Sequence, residues 1–306
     1  MRICSLLPSA TEIVYALGLG DRLVGVSHTC DYPEDARTKP VVSRSVRSVS
    51  HLDSHEIDAI IRQARETNNP VHWIDGDLLR ELHPDLIITQ EICEVCAIDQ
   101  SSVYATAARF LDYEPEIVVT RPVGLEEIYR NIHIIAAAAG ATERAEALVS
   151  QLKGRAQRVA DGLGEVTERP RVFCIDWLEP LRNTGQWTPE LVELAGGEEG
   201  LAEKWGKSRE IGWDEVAAYQ PDYLMVMPCA FDMARTESET RQTLYSHPAW
   251  GSLKAVREGN VFLFDGLIPS RHGPRVIDVL EGLAEAMHPD KFVGLARPGV
   301  FRKAVL

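Results

Sequence analysis

Two apolar runs in this chain follow the same short phrase. Residues 82–89 read LHPDLIIT and residues 219–226 read YQPDYLMV, and each copy follows an amphipathic stretch, at 77–81 and 213–217. Proline ends a helix because it lacks an amide hydrogen, and an unbroken apolar run is typical of a strand buried on both faces of a parallel sheet. The repeat predicts two similar α/β lobes, and two lobes imply a cleft that binds a ligand.

The remaining pattern predicts alternating strands and helices along the whole chain. Short apolar runs bounded by turn residues predict strands at 3–7, 23–26, 71–75, 116–119, 171–175 and 261–264. Helical spacing predicts helices over 10–17, 54–66, 101–111, 125–139, 142–163 and 274–287. Residues 36–52 show no clear period and are predicted to form a long loop.

Local signals predict where the first of these helices begins and where one further helix begins. Ser9 and Glu12 have the spacing of a capping box, and Gly18 follows the first helix as its stop. Thr188 followed by Pro189 predicts an N-cap threonine with proline in the first helical position.

The helix predicted over 142–163 is the longest in the chain, and it divides the sequence. At about 1.5 Å per residue it would extend roughly 30 Å, the width of a small domain. We therefore predict an amino-terminal α/β lobe over 1–122, connecting helices over 123–167 and a carboxyl-terminal α/β lobe over 168–306. The predicted fold class is two Rossmann-like lobes with parallel sheets, joined by a single long backbone helix.

Composition narrows the class of function. The chain has 306 residues, of which 45% are hydrophobic and 25% charged, which is typical of a folded globular protein. Its net charge of −14 argues against binding a nucleic acid backbone. Its apolar stretches are too short to span a bilayer, and the first residues do not resemble a signal peptide. These features predict a cytoplasmic protein, or a periplasmic or surface-anchored one if a leader has been removed.

Several phrases resemble one family, in the family's order along the whole chain. They are LPSATE at 7–12 with ALG at 16–18, CDYP at 30–33, PDLI at 84–87, AGG at 195–197 and GPR at 273–275. The sequence resembles class III periplasmic binding proteins, the helical-backbone receptors for vitamin B12 and siderophores. The resemblance implies a non-enzymatic protein without a required cofactor that binds cobalamin or a similar corrinoid or metal chelate between its lobes. It also implies an ABC permease as partner.

Residues that follow strand ends are the expected ligand contacts, as in other open α/β sheets. Tyr32 matches the tyrosine of the family's Asp-Tyr-Pro loop and could stack on a flat macrocycle, or merely pack on its proline. In the second lobe Trp177, Trp187 and Trp205 lie near the family's aromatic contacts, although any one of them could instead be a core residue. The family places an acid and an arginine where this chain has Asp265 and Arg271, here two residues further apart, to hydrogen-bond polar groups of the ligand. A surface ion pair is the alternative.

Cysteine and histidine residues support a rival hypothesis. The positions that fall on the corresponding loops are Cys30, Cys93, Cys96, Cys229, His28 and His272. Zinc or another soft metal could bind there, and a C-x-x-C pair such as 93–96 could be redox-active, but a single C-x-x-C pair is a weak signal and favours buried, inert cysteines. The rival is a cytoplasmic enzyme or metal-handling protein that uses these residues on the same fold. The glycines at 18 and 20 lack a phosphate-loop pattern, which argues against nucleotide binding.

Overall fold

The chain forms two compact α/β units in a computed structural model that describes residues 1–67, 69–91, 100–164 and 168–305. The first unit contains residues 1–52, 59–122 and 126–151. The second contains residues 53–58, 123–125 and the chain from 152 onward. The predicted α/β class with two sheets is confirmed.

The first unit is built on a six-stranded sheet of order β4-β3-β2-β1-β5-β6, in which β4 alone runs antiparallel to its neighbour. Its strands are β1 Ile3–Ser5, β2 Leu23–Ser27, β3 Val41–Ser45, β4 His72–Ile74, β5 Leu86–Gln90 and β6 Glu116–Thr120. Its helices are α1 Pro8–Ala16, α2 Ser54–Glu66, α3 Gly76–Leu82, α4 Gln100–Phe110 and α5 Leu125–Ala138; the first residues of α2 and α5 count with the second unit.

Helix α6, Thr142–Leu163, belongs to both units: residues up to Gln151 count with the first and those from Leu152 with the second. Its predicted bounds are confirmed.

Among the described residues, no helix combines the length and apolar character that crossing a membrane requires.

The second unit has a sheet of order β12-β11-β10-β7-β8, with β9 paired to β7. Its strands are β7 Arg171–Trp177, β8 Arg182–Asn183, β9 Glu198–Glu199, β10 Tyr223–Val226, β11 Val261–Phe264 and β12 Phe301–Lys303. Its helices are α7 Thr188–Leu194, α8 Trp213–Tyr219, α9 Met233–Thr243, α10 Lys254–Arg257 and α11 Val276–Met287. Strands β7, β10 and β11 are parallel, so their carboxyl ends share one edge.

The repeated Pro-Asp phrase fixes the start of a central strand in the first unit. Helix α3 ends at His83, whose φ of 43° turns the chain before Pro84. The carboxylate of Asp85 then accepts a hydrogen bond from the backbone N–H of Arg2 at 2.6 Å, while the Arg2 carbonyl accepts the N–H of Asp85 at 2.9 Å. This reciprocal pair aligns β5 with β1, and Leu86, the first residue of β5, is fully buried.

The second copy of the phrase has the same geometry in its own unit. Helix α8 ends at Gln220 with a φ of 47°, and Asp222 accepts the backbone N–H of Arg171 at 2.7 Å. The Arg171 carbonyl accepts the N–H of Asp222 at 2.7 Å, which aligns β10 with β7. The repeat in sequence therefore encodes a repeated connection between a helix and a strand.

Three local predictions are wrong. Helix α1 begins at Pro8 with Leu7 as N-cap, so the Ser9–Glu12 capping box does not form. Helix α7 has Trp187 rather than Thr188 as its N-cap residue. The loop expected over 36–52 contains strand β3, which pairs with β2 and β4.

Candidate functional site

Trp205 presents a large aromatic surface in the second unit. Its side chain is 54% exposed, and its backbone has a φ of 64°. Bulky residues rarely adopt positive φ, and such strain persists only where surrounding contacts enforce it, often at functional positions. Two backbone hydrogen bonds supply those contacts, from Trp205 N–H to the Gln186 carbonyl at 3.0 Å and from Gln186 N–H to the Gly206 carbonyl at 2.6 Å. The exposed indole is therefore held on a constrained loop.

Glu190 fixes the orientation of the Trp205 ring. One carboxylate oxygen, Oε2, accepts the indole N–H at 3.2 Å and also the backbone N–H of Leu125 at 2.8 Å. A side chain at Gly124 would have its Cβ 2.6 Å from the Trp205 Nε1 and 2.9 Å from the Glu190 Oε2, so it would displace the ring or the carboxylate. The Nε1 and Cδ1 atoms of the indole lie against Gly124, while much of the ring surface stays accessible.

Trp177 ends strand β7 and packs with a second aromatic ring. Its ring centroid lies 5.2 Å from that of Phe231, and the Arg235 guanidinium lies 3.6 Å from the Phe231 centroid on the ring face. The Trp177 indole N–H is shared between the carbonyls of Ser54 and Glu179, at 3.1 Å each. The two rings are inclined by 56°, and we call Trp177, Phe231 and Arg235 together the Trp177 cluster.

Glu239 completes this arrangement from helix α9. Its carboxylate accepts the Arg235 Nε–H at 2.8 Å and the backbone N–H of Ser54 at 3.0 Å. Glu239 is 8% exposed, so both bonds are shielded from water and strengthened by low local dielectric. The Arg235 charge is thereby neutralised inside the protein.

The loop after β11 carries the predicted polar pair. Asp265 is half-buried, and burial raises the pKa of its carboxyl above the usual range, although it accepts the Leu267 N–H at 3.1 Å. Arg271 is buried at 7% exposure, and its charge opposes this shift as one of the smaller effects. The alternative interpretation, in which Asp265 and Arg271 form an exposed surface ion pair, therefore does not hold for Arg271, because its side chain is buried.

Trp187 and His272 pack inside the second unit. Trp187 is 3% exposed, its indole N–H donates to the Pro269 carbonyl at 3.0 Å, and its ring meets His272 edge-on with centroids 5.8 Å apart. The predicted ligand residue Trp187 thus braces the loop that holds Arg271. Its nearly complete burial gives it little surface to offer a ligand.

We expect the stability of the protein to fall in acid because of His272. Burial lowers the pKa of this imidazole from 6.5 to about 4. Below pH 6.5 the unfolded chain binds a proton that the folded chain refuses, so stability is complete above pH 6.5 and is lost as the pH falls towards 4. The loss should reach about 2–3 kcal/mol. Urea unfolding of His272→Gln should show a shallower decline over this range, and identical pH profiles would contradict the prediction.

In the first unit, Tyr32 follows β2 and is 41% exposed. Cys30, two residues earlier, is 4% exposed, and its sulfur accepts a hydrogen bond from the Thr11 hydroxyl at 3.1 Å. Tyr32 is accessible to a ligand, whereas the Cys30 thiol faces the interior beside α1.

The predicted cysteine and histidine metal site gains no support among the described residues. No group of three or more His, Cys, Asp and Glu side chains in that part of the chain is arranged to hold a metal ion. Cys93 and Cys96 lie outside the described residues. Cys229 is partly exposed after β10, and its backbone N–H donates to the Asp176 carbonyl at 2.9 Å.

Sequence reasoning missed Glu190 and the partners of Trp177. Glu190 is one acid among several in an amphipathic helix and carries no signal of its role. Phe231 precedes helix α9, and Arg235 lies in its first turn. The sequence did not predict this helix because it contains few apolar residues. Its N-cap is Asp232, whose carboxylate accepts the Arg235 N–H at 2.8 Å. Asp176 was also missed; burial raises the pKa of its carboxyl to about 6 at the end of β7.

The chain forms two α/β units, and Tyr32 and Trp205 present exposed aromatic side chains on their loops. Comparison with known families identifies the class of protein. The family model described as "Periplasmic binding protein" matches residues 3–266. The chain belongs to the periplasmic binding protein family, and the predicted membership of its class III branch is confirmed.

The chain is similar to named relatives over most of its length. It is 24% identical to an uncharacterized ABC transporter substrate-binding lipoprotein of Bacillus subtilis, over 95% of this chain and 81% of that protein. It is 24% identical to a vitamin B12-binding protein of Yersinia pestis, over 74% of this chain and 69% of that protein. A periplasmic heme-binding protein of Roseiflexus sp. RS-1 has the same fold, with a TM-score of 0.70, 22% identity and coverage of 94% and 98%.

Proposed function

We propose that this chain is the substrate-binding component of an ABC importer and that it binds cobalamin or a similar corrinoid. Tyr32, Trp177 and Trp205 would supply aromatic contacts. Asp265 and Arg271 would act at the polar rim of the ligand, Asp265 by hydrogen bonding and Arg271 by shaping the loop.

The observation that carries the proposal is the exposed, oriented ring of Trp205. A flat macrocycle buries part of one face when it stacks on an aromatic side chain, and little conformational entropy is lost when that side chain is already fixed. The Glu190 hydrogen bond at 3.2 Å and the contact with Gly124 fix the ring before any ligand arrives. Such an arrangement favours a flat ligand over a small polar one.

Charge favours a corrinoid over a heme. The heme propionates are anionic and need cationic partners, whereas most corrin substituents are neutral amides that both donate and accept hydrogen bonds. Arg235 is paired with Glu239 at 2.8 Å, Lys204, whose ammonium lies 5.2 Å from the Trp205 ring centroid, is paired with Glu193 at 2.5 Å, and the whole chain has a net charge of −14. Burial raises the pKa of Asp265 and so favours its protonated form, which can both donate to and accept from the amides of a corrin.

The proposed role implies an importer permease as partner and a location outside the cytoplasm. The name of the Bacillus subtilis relative describes a lipoprotein that serves an ABC transporter. Membership of the same family supports this location over the cytoplasmic enzyme or metal-handling protein considered from sequence.

Titration with cyanocobalamin tests the proposal. We expect ligand to quench tryptophan fluorescence, and calorimetry should show that Trp205→Ala weakens binding about 30-fold, the cost typical of a central aromatic contact. Trp205→Phe should keep most of the affinity because the ring stacking survives. Tyr104→Ala is the matched control, since Tyr104 is similarly exposed at 51% but lies on helix α4.

Two results would contradict the proposal. One is the absence of any fluorescence change at high micromolar cyanocobalamin. The other is an affinity of Trp205→Ala equal to that of Tyr104→Ala.

A further inference from the structure

Two histidines meet at the carboxyl edge of the first sheet. His28 lies in the loop after β2 and His72 begins β4, and their ring centroids are 5.8 Å apart with the planes inclined by 46°. His72 is paired in register with Ser45, the last residue of β3. Residues directly opposite one another on antiparallel strands share a face, so His72 and Ser45 lie on one side of the sheet. His28 reaches the same place, because its Nε2 lies 3.1 Å from the Ser45 Oγ.

The protein also sets the tautomer of His28. The Nδ1 atom lies 3.2 Å from the carbonyl oxygen of Ser43. A carbonyl oxygen only accepts, so Nδ1 carries the proton and Nε2 keeps its lone pair, which accepts from the Ser45 hydroxyl. A histidine whose Nδ1–H is bonded to a backbone carbonyl keeps the lone pair of Nε2 available, which is the arrangement common among histidine ligands of metal ions.

One cation lies close to His28. Arg44 is the nearby cation that disfavours a bound ion, but its side chain is exposed, where solvent screens the charge.

We infer that His28 and His72 together bind a divalent transition metal ion of the kind that prefers imidazole, such as Ni²⁺. With metal–nitrogen distances of about 2.1 Å, two imidazoles on one ion place their ring centroids roughly 4.5–6 Å apart. The observed separation of 5.8 Å falls in that range. Ser45 would rotate to release Nε2, and water would fill the remaining positions because His28 is exposed.

This site uses donors other than the cysteines considered from sequence and lies within the first unit. It does not depend on the proposed corrinoid function, since it requires only a bare metal ion.

Calorimetric titration of the full chain with Ni²⁺ alone tests the inference. His28→Gln and His72→Gln should each weaken the site at least about tenfold, and the double variant should lose little more than either one because both rings hold the same ion. His133→Gln, on helix α5, is the control for a single histidine. Cys93→Ser with Cys96→Ser should leave the site unchanged, which separates it from thiolate binding.

The inference is overturned if His28→Gln and His72→Gln bind Ni²⁺ as tightly as the unaltered chain. It is also overturned if the cysteine substitutions abolish binding. Circular dichroism of each variant confirms that lost binding does not reflect unfolding.

Discussion

Replacing Arg155 with alanine is expected to lower the free energy of unfolding by about 3–5 kcal/mol. Arg155 lies on helix α6 and bridges two acids of helix α11, with its Nε 2.9 Å from Glu281 and an Nη atom 2.5 Å from Asp278. All three are deeply buried, at 8%, 3% and 1% exposure respectively. Removal of the guanidinium would leave two carboxylates in the interior, and the exposed Arg297 side chain, 3.5 Å from Asp278, would compensate for them only weakly.

Urea unfolding measures this loss, and Arg158→Ala is its control. Arg158 lies three residues along the same helix and is exposed, so its removal should change stability by less than about 0.5 kcal/mol. Arg155→Met combined with Asp278→Leu and Glu281→Met should recover much of the loss, because an apolar group replaces the whole ion cluster. A loss below about 1 kcal/mol for Arg155→Ala would show that the buried cluster is not what fastens α6 to α11.

The substitution Gly266→Ala should destabilise the second unit by about 2–4 kcal/mol. An added Cβ would lie 1.9 Å from the backbone carbonyl oxygen of Pro228 and 2.9 Å from that of Phe231. Both obstacles are main chain, so no side-chain rotation relieves them. The loops after β10 and β11 would have to separate, which would also disturb the Trp177 cluster.

Gly154→Ala is the matched control for this change. Gly154 lies within helix α6 with no heavy atom within 4 Å of the added Cβ. Alanine should therefore stabilise the helix by about 0.5–1 kcal/mol. Thermal unfolding of the two variants should move in opposite directions, and similar shifts would refute the steric account of Gly266.

The parts of the fold that sequence predicted are those with a strong local cause. The end of α3 before Pro84 and the apolar run of β5 are both determined by a stretch of about ten residues, and the same is true of α8 and β10. Helix α6 was predicted to the residue because 22 positions keep one period. Strand β3 was missed because its Ser-Arg-Ser end looks polar, and only pairing with β2 and β4 makes it a strand.

The predicted first residues of two helices were wrong for a different reason. The Ser9–Glu12 spacing is a genuine capping signal, but Pro8 takes the first helical position and places both residues inside α1. Thr188 likewise lies inside its helix, because Trp187 is the N-cap residue of α7. Local signals compete, and the backbone restriction of proline or the packing of a tryptophan decides between them.

In the candidate site, too, some residues could be chosen from their type alone, whereas others depend on contacts that form only in the folded chain. Trp177, Trp205 and Tyr32 could be selected from sequence because aromatic residues after strands are informative by type. Glu190 could not, because its importance comes from one carboxylate oxygen that meets the Trp205 ring and the Leu125 N–H in the folded chain. Trp187 could not be told from an exposed tryptophan until its contact with Pro269 was known.

Equilibrium dialysis against cyanocobalamin, with heme in a parallel chamber, is the decisive experiment on corrinoid binding. We expect the protein to retain about one equivalent of cyanocobalamin, detected by its visible absorption, and to retain it more tightly than heme. Retention of heme alone, or of neither ligand at high micromolar concentration, would contradict the assignment of this chain as a corrinoid-binding protein.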